Sequence, residues 1–323
     1  MTSTTIAPSR LRGVFSPVLT PFNADLSPSA PRFIKHCQWL LGQGVGLSVF
    51  GTNSEANSLS ASEKRGLLDT LLAAGVAPNR LMPGTGACAL PDSIELTRHA
   101  VAAGCAGVLM LPPFYYKGVS DEGLFRSFAR VIDAVADPRL RIYLYHIPPV
   151  SQVGISLALI ERLLKAYPGT IAGIKDSSGD WANTSAMLRE FQPQGFDVFS
   201  GTETVLLETL RAGGAGCITA TGNVFPGAIV ALYEHWRAQG DPAVAEAKQQ
   251  ALNDTRAVFQ KYPLIAAMKA AIADQSGDAA WATVRPPLVE LDGNQAQELN
   301  QALAQRGFKI PNAAALAVTA RSL

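Results

Sequence analysis

The sequence predicts an α/β fold, a (β/α)8 TIM barrel with a C-terminal helical extension, and three observations carry that prediction. Short apolar runs rich in β-branched residues alternate with amphipathic helical stretches, and eight such units can be counted. Hydrophobic residues make up 48% of the 323 residues and charged ones only 16%, which suits a thick layered core better than a solvated bundle or a disordered chain. Caps and turn residues punctuate the runs at regular intervals.

The expected strands are residues 13–19, 47–50, 81–84, 107–111, 141–145, 171–174, 197–200 and 216–219, each followed by a turn and a helical segment. Ser60-Ala61-Ser62-Glu63 and Ser120-Asp121-Glu122-Gly123 place capping side chains ahead of apolar periodic runs, and Pro91-Asp92 opens another helix. Gly44, Gly75, Gly104 and Gly213 fall where helices should end, because a left-handed closing turn is cheapest without a Cβ. From about Ala231 the pattern turns to alanine- and glutamine-rich helices over 243–262, 263–276 and 294–306, with Arg285-Pro286-Pro287 breaking the last of them apart. Their apolar faces are too scattered for an independent core. Residues 1–230 are therefore read as the barrel and 231–323 as a helical extension of the same domain.

Composition limits the function. The formal charge is +1 and no stripe of lysines and arginines forms, so a nucleic-acid partner is not expected. Cys37, Cys88, Cys105 and Cys217 lie far apart and read as reduced packing residues. His36, His99 and His235 have no metal-ligand spacing, so neither a metal nor a cofactor is expected. No stretch is long enough to span a bilayer and the first twelve residues lack the apolar run of a secretory signal, which leads us to expect a cytoplasmic protein with no membrane partner.

A barrel of this kind carries its chemistry at the C-terminal ends of the strands. Lys175 ends the run Ile171-Ala172-Gly173-Ile174, Tyr145 ends Ile142-Tyr143-Leu144, Gly51-Thr52-Asn53 follows Ser48-Val49-Phe50, and Tyr115-Tyr116 follows the fourth strand. Burying a lysine at a strand end favours its neutral, nucleophilic form, which can condense with a ketone to give an iminium, an electron sink for carbanion chemistry. A lysine whose stem lies along the strand end while its charge stays in water fits the same position equally well. Tyr145 is suited to proton transfer beside such an iminium, although a lone strand tyrosine is more often a packing residue. The loop Gly51-Thr52-Asn53-Ser54-Glu55 offers successive N–H groups for a carboxylate, and Gly84-Thr85-Gly86 is a similar turn. Neither has the lysine-serine or lysine-threonine ending of a phosphate cradle.

Taken together, Gly51-Thr52-Asn53-Ser54-Glu55, Pro113-Phe114-Tyr115-Tyr116, Tyr145-His146-Ile147-Pro148 and Gly173-Ile174-Lys175-Asp176 resemble the dihydrodipicolinate synthase and N-acetylneuraminate lyase family, in its order and spacing over about residues 13–226. The resemblance implies that Lys175 is the Schiff-base lysine, Tyr145 the proton-transferring tyrosine and Thr52 the completion of their hydroxyl relay. Tyr115 then matches a tyrosine that crosses a tight dimer interface, with Tyr116 competing for the register, and a homotetramer of paired dimers is implied. Asn53 takes the place of a threonine or serine that, with backbone N–H groups such as that of Gly51, holds the substrate carboxylate. Val150 stands where the lysine-pathway synthases use an arginine for a second carboxylate, so such an acid should be poorly recognised. Gly201-Thr202-Glu203-Thr204 lacks the paired acids of the sialic acid lyases, and Ala220 falls where they use a serine. The departures point towards the members acting on 2-keto-3-deoxy sugar acids, with Ser177, Gly201 and Glu203 as substrate contacts. His146 replaces the family's usual asparagine and reads as packing behind the site.

The reading is a Schiff-base lyase, an aldolase or dehydratase, acting on a small-molecule 2-keto acid with pyruvate as product or co-substrate. The alternatives are a 4-hydroxy-tetrahydrodipicolinate synthase and a non-catalytic regulator that binds a keto acid.

Overall fold

The computed structural model describes residues 10–318; the reading of the first residues as free of a secretory signal falls largely outside them. Seven strands form one parallel sheet: β1 (Gly13–Ser16), β2 (Gly46–Leu47), β3 (Val108–Met110), β4 (Ile142–His146), β5 (Ile171–Asp176), β6 (Asp197–Ser200) and β7 (Gly216–Ile218), in the order β2-β1-β7-β6-β5-β4-β3. The segment 81–84 supplies the eighth stave. It bridges β2 at Leu47 and Leu81 and β3 at Gly84 and Leu109, both in parallel, and so closes the sheet. Met82 N donates to Leu47 O at 2.8 Å and Leu109 N to Pro83 O at 2.9 Å. Pro83 has no N–H to give, which thins the expected strand to isolated bridges. The second expected strand is cut short too, because Phe50 turns into the left-handed region at φ 63°. Helix starts and stops stand where expected: Ser60 and Glu63 form a reciprocal capping box, and Gly44, Gly75, Gly104 and Gly213 all carry positive φ.

Strand alternation divides the side chains between two cores. Ile142, Leu144, Ile174, Val198 and Cys217 face the helices, while Phe15, Met82, Leu109, Tyr143, Tyr145, Phe199 and Ile218 fill the barrel. Large rings need small neighbours in this interior. A Cβ on Gly46 would lie 2.3 Å from the Phe15 ring, and one on Gly173 would lie 2.8 Å from Tyr143 and 2.2 Å from the Asp197 carbonyl. Phe15, Tyr143 and Phe199 then meet edge to face, with ring centroids 5.8 Å apart for both Phe15–Phe199 and Tyr143–Phe199. They form a packed floor to the site, with Phe199 the direct register partner of Lys175. At the opposite end Arg10 Nε donates to Asp197 at 2.9 Å.

The C-terminal helices Pro242–Phe259, Leu264–Ser276 and Gly293–Gln305 match the expected segments to within a few residues. The preceding helix, Pro226–Arg237, runs through residue 230 and is followed by Pro242–Phe259. Leu252, Phe259, Met268, Ile272, Trp281 and Leu299 share one apolar cluster with Phe33, Leu40 and Leu232.

His36 stands at that junction, fully buried, its Nε2 at 2.9 Å from Asn223 Oδ1 and its ring edge-on to Trp281. Burial pulls its pKa down from 6.5 to about 4, with the Asn223 bond opposing. The unfolded chain therefore binds more protons than the folded one between these values, and stability is lost as pH falls from about 6.5 to about 4. The His36 contribution to that loss approaches roughly 3 kcal/mol. His36→Gln is expected to flatten this part of a stability–pH profile measured by denaturant unfolding; an unaltered slope would show that other groups cause it.

Candidate active site

Neighbouring parallel strands place Tyr145 and Lys175 side by side: the two residues are direct partners in the β4–β5 register. Both point into the barrel, and both are buried, at 3% and 2% exposure. Lys175 Nζ donates to Tyr145 Oη at 3.2 Å and sits 4.3 Å from the centre of its ring. Thr52 Oγ1 lies 3.1 Å from the same phenol oxygen. The three groups thus form one chain, amine to phenol to hydroxyl, and it opens into a cavity of about 820 Å3 at the C-terminal end of the barrel. A second cavity of about 630 Å3, at the other end, is lined by Arg10, Tyr143 and Asp197 and contains none of the expected site residues.

The chain makes a short turn at Thr52–Ser54, entered from Gly51 and left through Glu55 at φ 55°. Gly51 N donates to Ser54 Oγ at 3.2 Å, whereas the N–H groups of Thr52 and Asn53 have no acceptor among the described residues. Thr52 and Asn53 line the cavity, so two successive donors are available beside Lys175. Ser177 and Gly201 line it as well, and they need each other: a Cβ on Gly201 would lie 2.0 Å from Ser177 Oγ.

Glu203 requires a correction. It is fully buried and accepts hydrogen bonds from the Thr219 and Thr221 hydroxyls and, at 3.1 Å, from Arg256 Nη1. It ties the end of β7 to the helix Pro242–Phe259 and has no free oxygen for a substrate. Tyr115 and Tyr116 are 73% and 74% exposed and stand outside the cavity, so within one chain neither reaches Lys175. Val150 is at the cavity rim, 61% exposed.

His146 faces away from Lys175, as strand alternation requires. Its Nδ1 accepts from Ile155 N at 2.9 Å, which fixes the loop that carries Ile147 and Val150. Burial lowers its pKa against the pull of Asp176, so it stays neutral and able to accept. Asp176, its neighbour in register, is buried and takes hydrogen bonds from Ser178, Asn183 and Thr184.

The extension reaches the site through a contact no local motif announces. Lys269, in the middle of Leu264–Ser276, makes a fully buried ion pair with Glu55 and donates to Thr283 O at 2.8 Å. Arg285 N donates to the other Glu55 oxygen at 2.8 Å, and its guanidinium holds Ser58 O at 2.6 Å. Burial pulls Lys269 down to about 8, opposed by Glu55. The turn that carries Thr52 is thus pinned from behind by the C-terminal helices. A single lysine in the apolar run Ala266-Ala267-Met268-Lys269-Ala270-Ala271-Ile272 is the signal that could have revealed it, since a buried ammonium needs a partner.

Residues 10–306 match the Dihydrodipicolinate synthetase family. The chain belongs to that family. It is 34% identical to an uncharacterized DapA-like lyase of Chloroflexus aurantiacus, over 90% of this chain and 95% of the relative. It is 30% identical to the 4-hydroxy-tetrahydrodipicolinate synthase of Rhizobium meliloti, over 92% and 99%. Among solved structures, YagE of Escherichia coli K12, in complex with pyruvate, superposes with a TM-score of 0.85 at 30% identity, covering 93% of this chain and 100% of that one. The family resemblance, the TIM barrel and the aldolase/lyase enzyme class expected from the sequence are borne out. Among the described residues no group of His, Cys, Asp and Glu is arranged to hold a metal ion, and no helix is long and apolar enough to cross a membrane.

Proposed function

We propose that this chain is a Schiff-base lyase for a 2-keto acid, in particular a 2-keto-3-deoxy sugar acid, with pyruvate as the three-carbon product or co-substrate. The observation that carries the reading is the Lys175–Tyr145–Thr52 chain, with contacts of 3.2 and 3.1 Å, opening into the cavity. The substrate carboxylate is held by the N–H groups of Thr52 and Asn53. The Lys175 amine adds to the C2 carbonyl, Tyr145 protonates the departing oxygen, and water leaves as the iminium forms. In cleavage, the Tyr145 phenolate takes the C4 hydroxyl proton, the C3–C4 bond breaks, and its electron pair neutralises the iminium as an enamine. The aldehyde departs. Protonation at C3 and hydrolysis of the regenerated iminium then release pyruvate and the free amine. Thr52 passes the proton between phenol and solvent.

Ser177 and Gly201 are the remaining substrate contacts, and their place on the cavity wall supports that role. Val150 at the rim supports the sugar-acid reading over the synthase, since a valine gives an incoming aldehyde's carboxylate no donor. Tyr115, exposed on its loop, supports an assembly of paired dimers in which a second subunit takes up that ring, and a cytoplasmic homotetramer is the state we propose.

A screen of 2-keto-3-deoxy acids and pyruvate–aldehyde pairs, read by product mass against Lys175→Ala, tests the reading. At least one pair should give product only with the intact lysine, and equal product from both proteins would reject it. Tyr145→Phe is expected to lower kcat by roughly 10²- to 10⁴-fold on the same substrate, as loss of a positioned acid–base group does. A loss under threefold would remove Tyr145 from the proton path.

A further inference from the structure

His146 stands at both ends of the loop that forms one rim of the cavity. Its backbone leads from β4 into residues 147–155, and its Nδ1 accepts the Ile155 N–H at 2.9 Å, nine residues on. Ile147 and Val150 of that loop line the cavity. Ile155 N has no other acceptor among the described residues, and Ser156 next to it caps the helix Leu157–Ala166. The Ser151 hydroxyl binds the loop only to itself, through Ile147 O and Val153. The His146 ring is therefore the tie between the far end of the loop and the strand that carries Tyr145.

That tie depends on the charge of the ring. A backbone N–H only donates, so it needs the lone pair of Nδ1, and the single proton of the neutral ring then sits on Nε2. An imidazolium has no lone pair at either nitrogen. Protonation turns the 2.9 Å contact into two N–H groups aimed at each other. The charged group that acts on the ring is Asp176, its register partner on β5, which favours the proton while burial opposes it. Burial is the larger influence, so the change falls below the ordinary histidine value of 6.5. The Asp176 oxygens are already taken by Ser178 N, Asn183 and Thr184, so the imidazolium finds no open acceptor there. Lys117 binds the Ser151 carbonyl at 2.8 Å and Asp121 the Ser156 hydroxyl, and neither bonds to the ring.

We propose that His146 is a positioning residue that holds the cavity rim only while its ring is neutral, so that acid releases the loop 147–155 and loosens the grip on substrate. The release follows from the hydrogen bond alone, whereas its effect on substrate rests on the Schiff-base reading above.

Hydrogen exchange of residues 147–156, read by peptide mass spectrometry and corrected for the intrinsic effect of pH, tests the release without a substrate. Strand β1, opposite β4 in the barrel, is the reference, so a general loosening cancels. Loop protection relative to β1 is expected to fall by roughly 3- to 10-fold between about pH 7.5 and about pH 5, the equivalent of one hydrogen bond. His146→Asn places Oδ1 where Nδ1 stands and accepts without titrating, so its ratio should stay constant over that range. His146→Leu has no acceptor, and its loop should exchange at neutral pH as fast as the acid form of the parent. A parent ratio that pH does not move, an asparagine variant that follows the parent, or a leucine variant as protected as the parent at neutral pH overturns the proposal. KM for the keto acid gives the functional readout: as pH falls, it should rise in the parent by a similar factor relative to His146→Asn. A constant KM ratio beside a released loop overturns the effect on substrate. A parent protein that forms no reducible pyruvate adduct would instead reject the Schiff-base reading, and the exchange result would still decide the loop.

Discussion

Replacing Lys175 by alanine is expected to reduce turnover by on the order of 10⁴-fold or more, because the covalent route disappears with the amine itself. The fold should survive, since Phe15, Tyr143 and Phe199 pack on one another through ring contacts that do not involve Lys175. Tyr145 keeps its contact to Thr52 at 3.1 Å and so stays in place with one partner fewer. Substrate turnover should therefore fall while the thermal midpoint moves by only a few degrees. A variant that retains a tenth of the activity would show that the lysine is not the nucleophile.

Lys269→Met is expected to be strongly destabilising. It strands Glu55 as a buried carboxylate whose ammonium partner is gone, a defect that costs about 3–5 kcal/mol. The effect is directional in function as well. Glu55 ends the turn that positions Thr52 and the two free N–H groups, so whatever enzyme still folds should show a raised KM for the keto acid. Denaturant unfolding measures the first effect and steady-state kinetics the second. Glu55→Gln/Lys269→Met, which removes both charges, should recover most of the lost stability. A single variant that loses less than about 1 kcal/mol would show that the pair is not a structural clasp.

The two charged pairs also explain what the sequence disclosed and what it withheld. Strand and helix boundaries were legible because they depend on local chemistry: apolar runs, Ser60 with Glu63, glycines at helix ends. Lys175 and Tyr145 stand at strand ends, which converge in a barrel, but that position alone left each open to a packing role, and it was the joint resemblance of four motifs that singled them out. The thin eighth strand followed from Pro83, a residue already inside the expected run. Long-range charge partners carry no such local pattern. Lys269 and Glu55 stand 214 residues apart, and Arg256 and Glu203 stand 53 apart, so neither pairing could be read from spacing. The same blindness misplaced Glu203: its position beyond β6 pointed to the cavity, but two threonines and an arginine from later segments claim its oxygens. The extension, read from composition as appended helices, lines part of the cavity with Leu264, Ile265 and Ala266 and pins the Thr52 turn through Lys269.

The central claim is that one buried amine reacts with a keto group. Incubating the protein with pyruvate, reducing with borohydride and mapping the product by peptide mass spectrometry tests it directly. The account predicts a stable three-carbon adduct on Lys175 that is absent from Lys175→Ala. An adduct on another lysine, or none in a protein that still turns over its substrate, would contradict it.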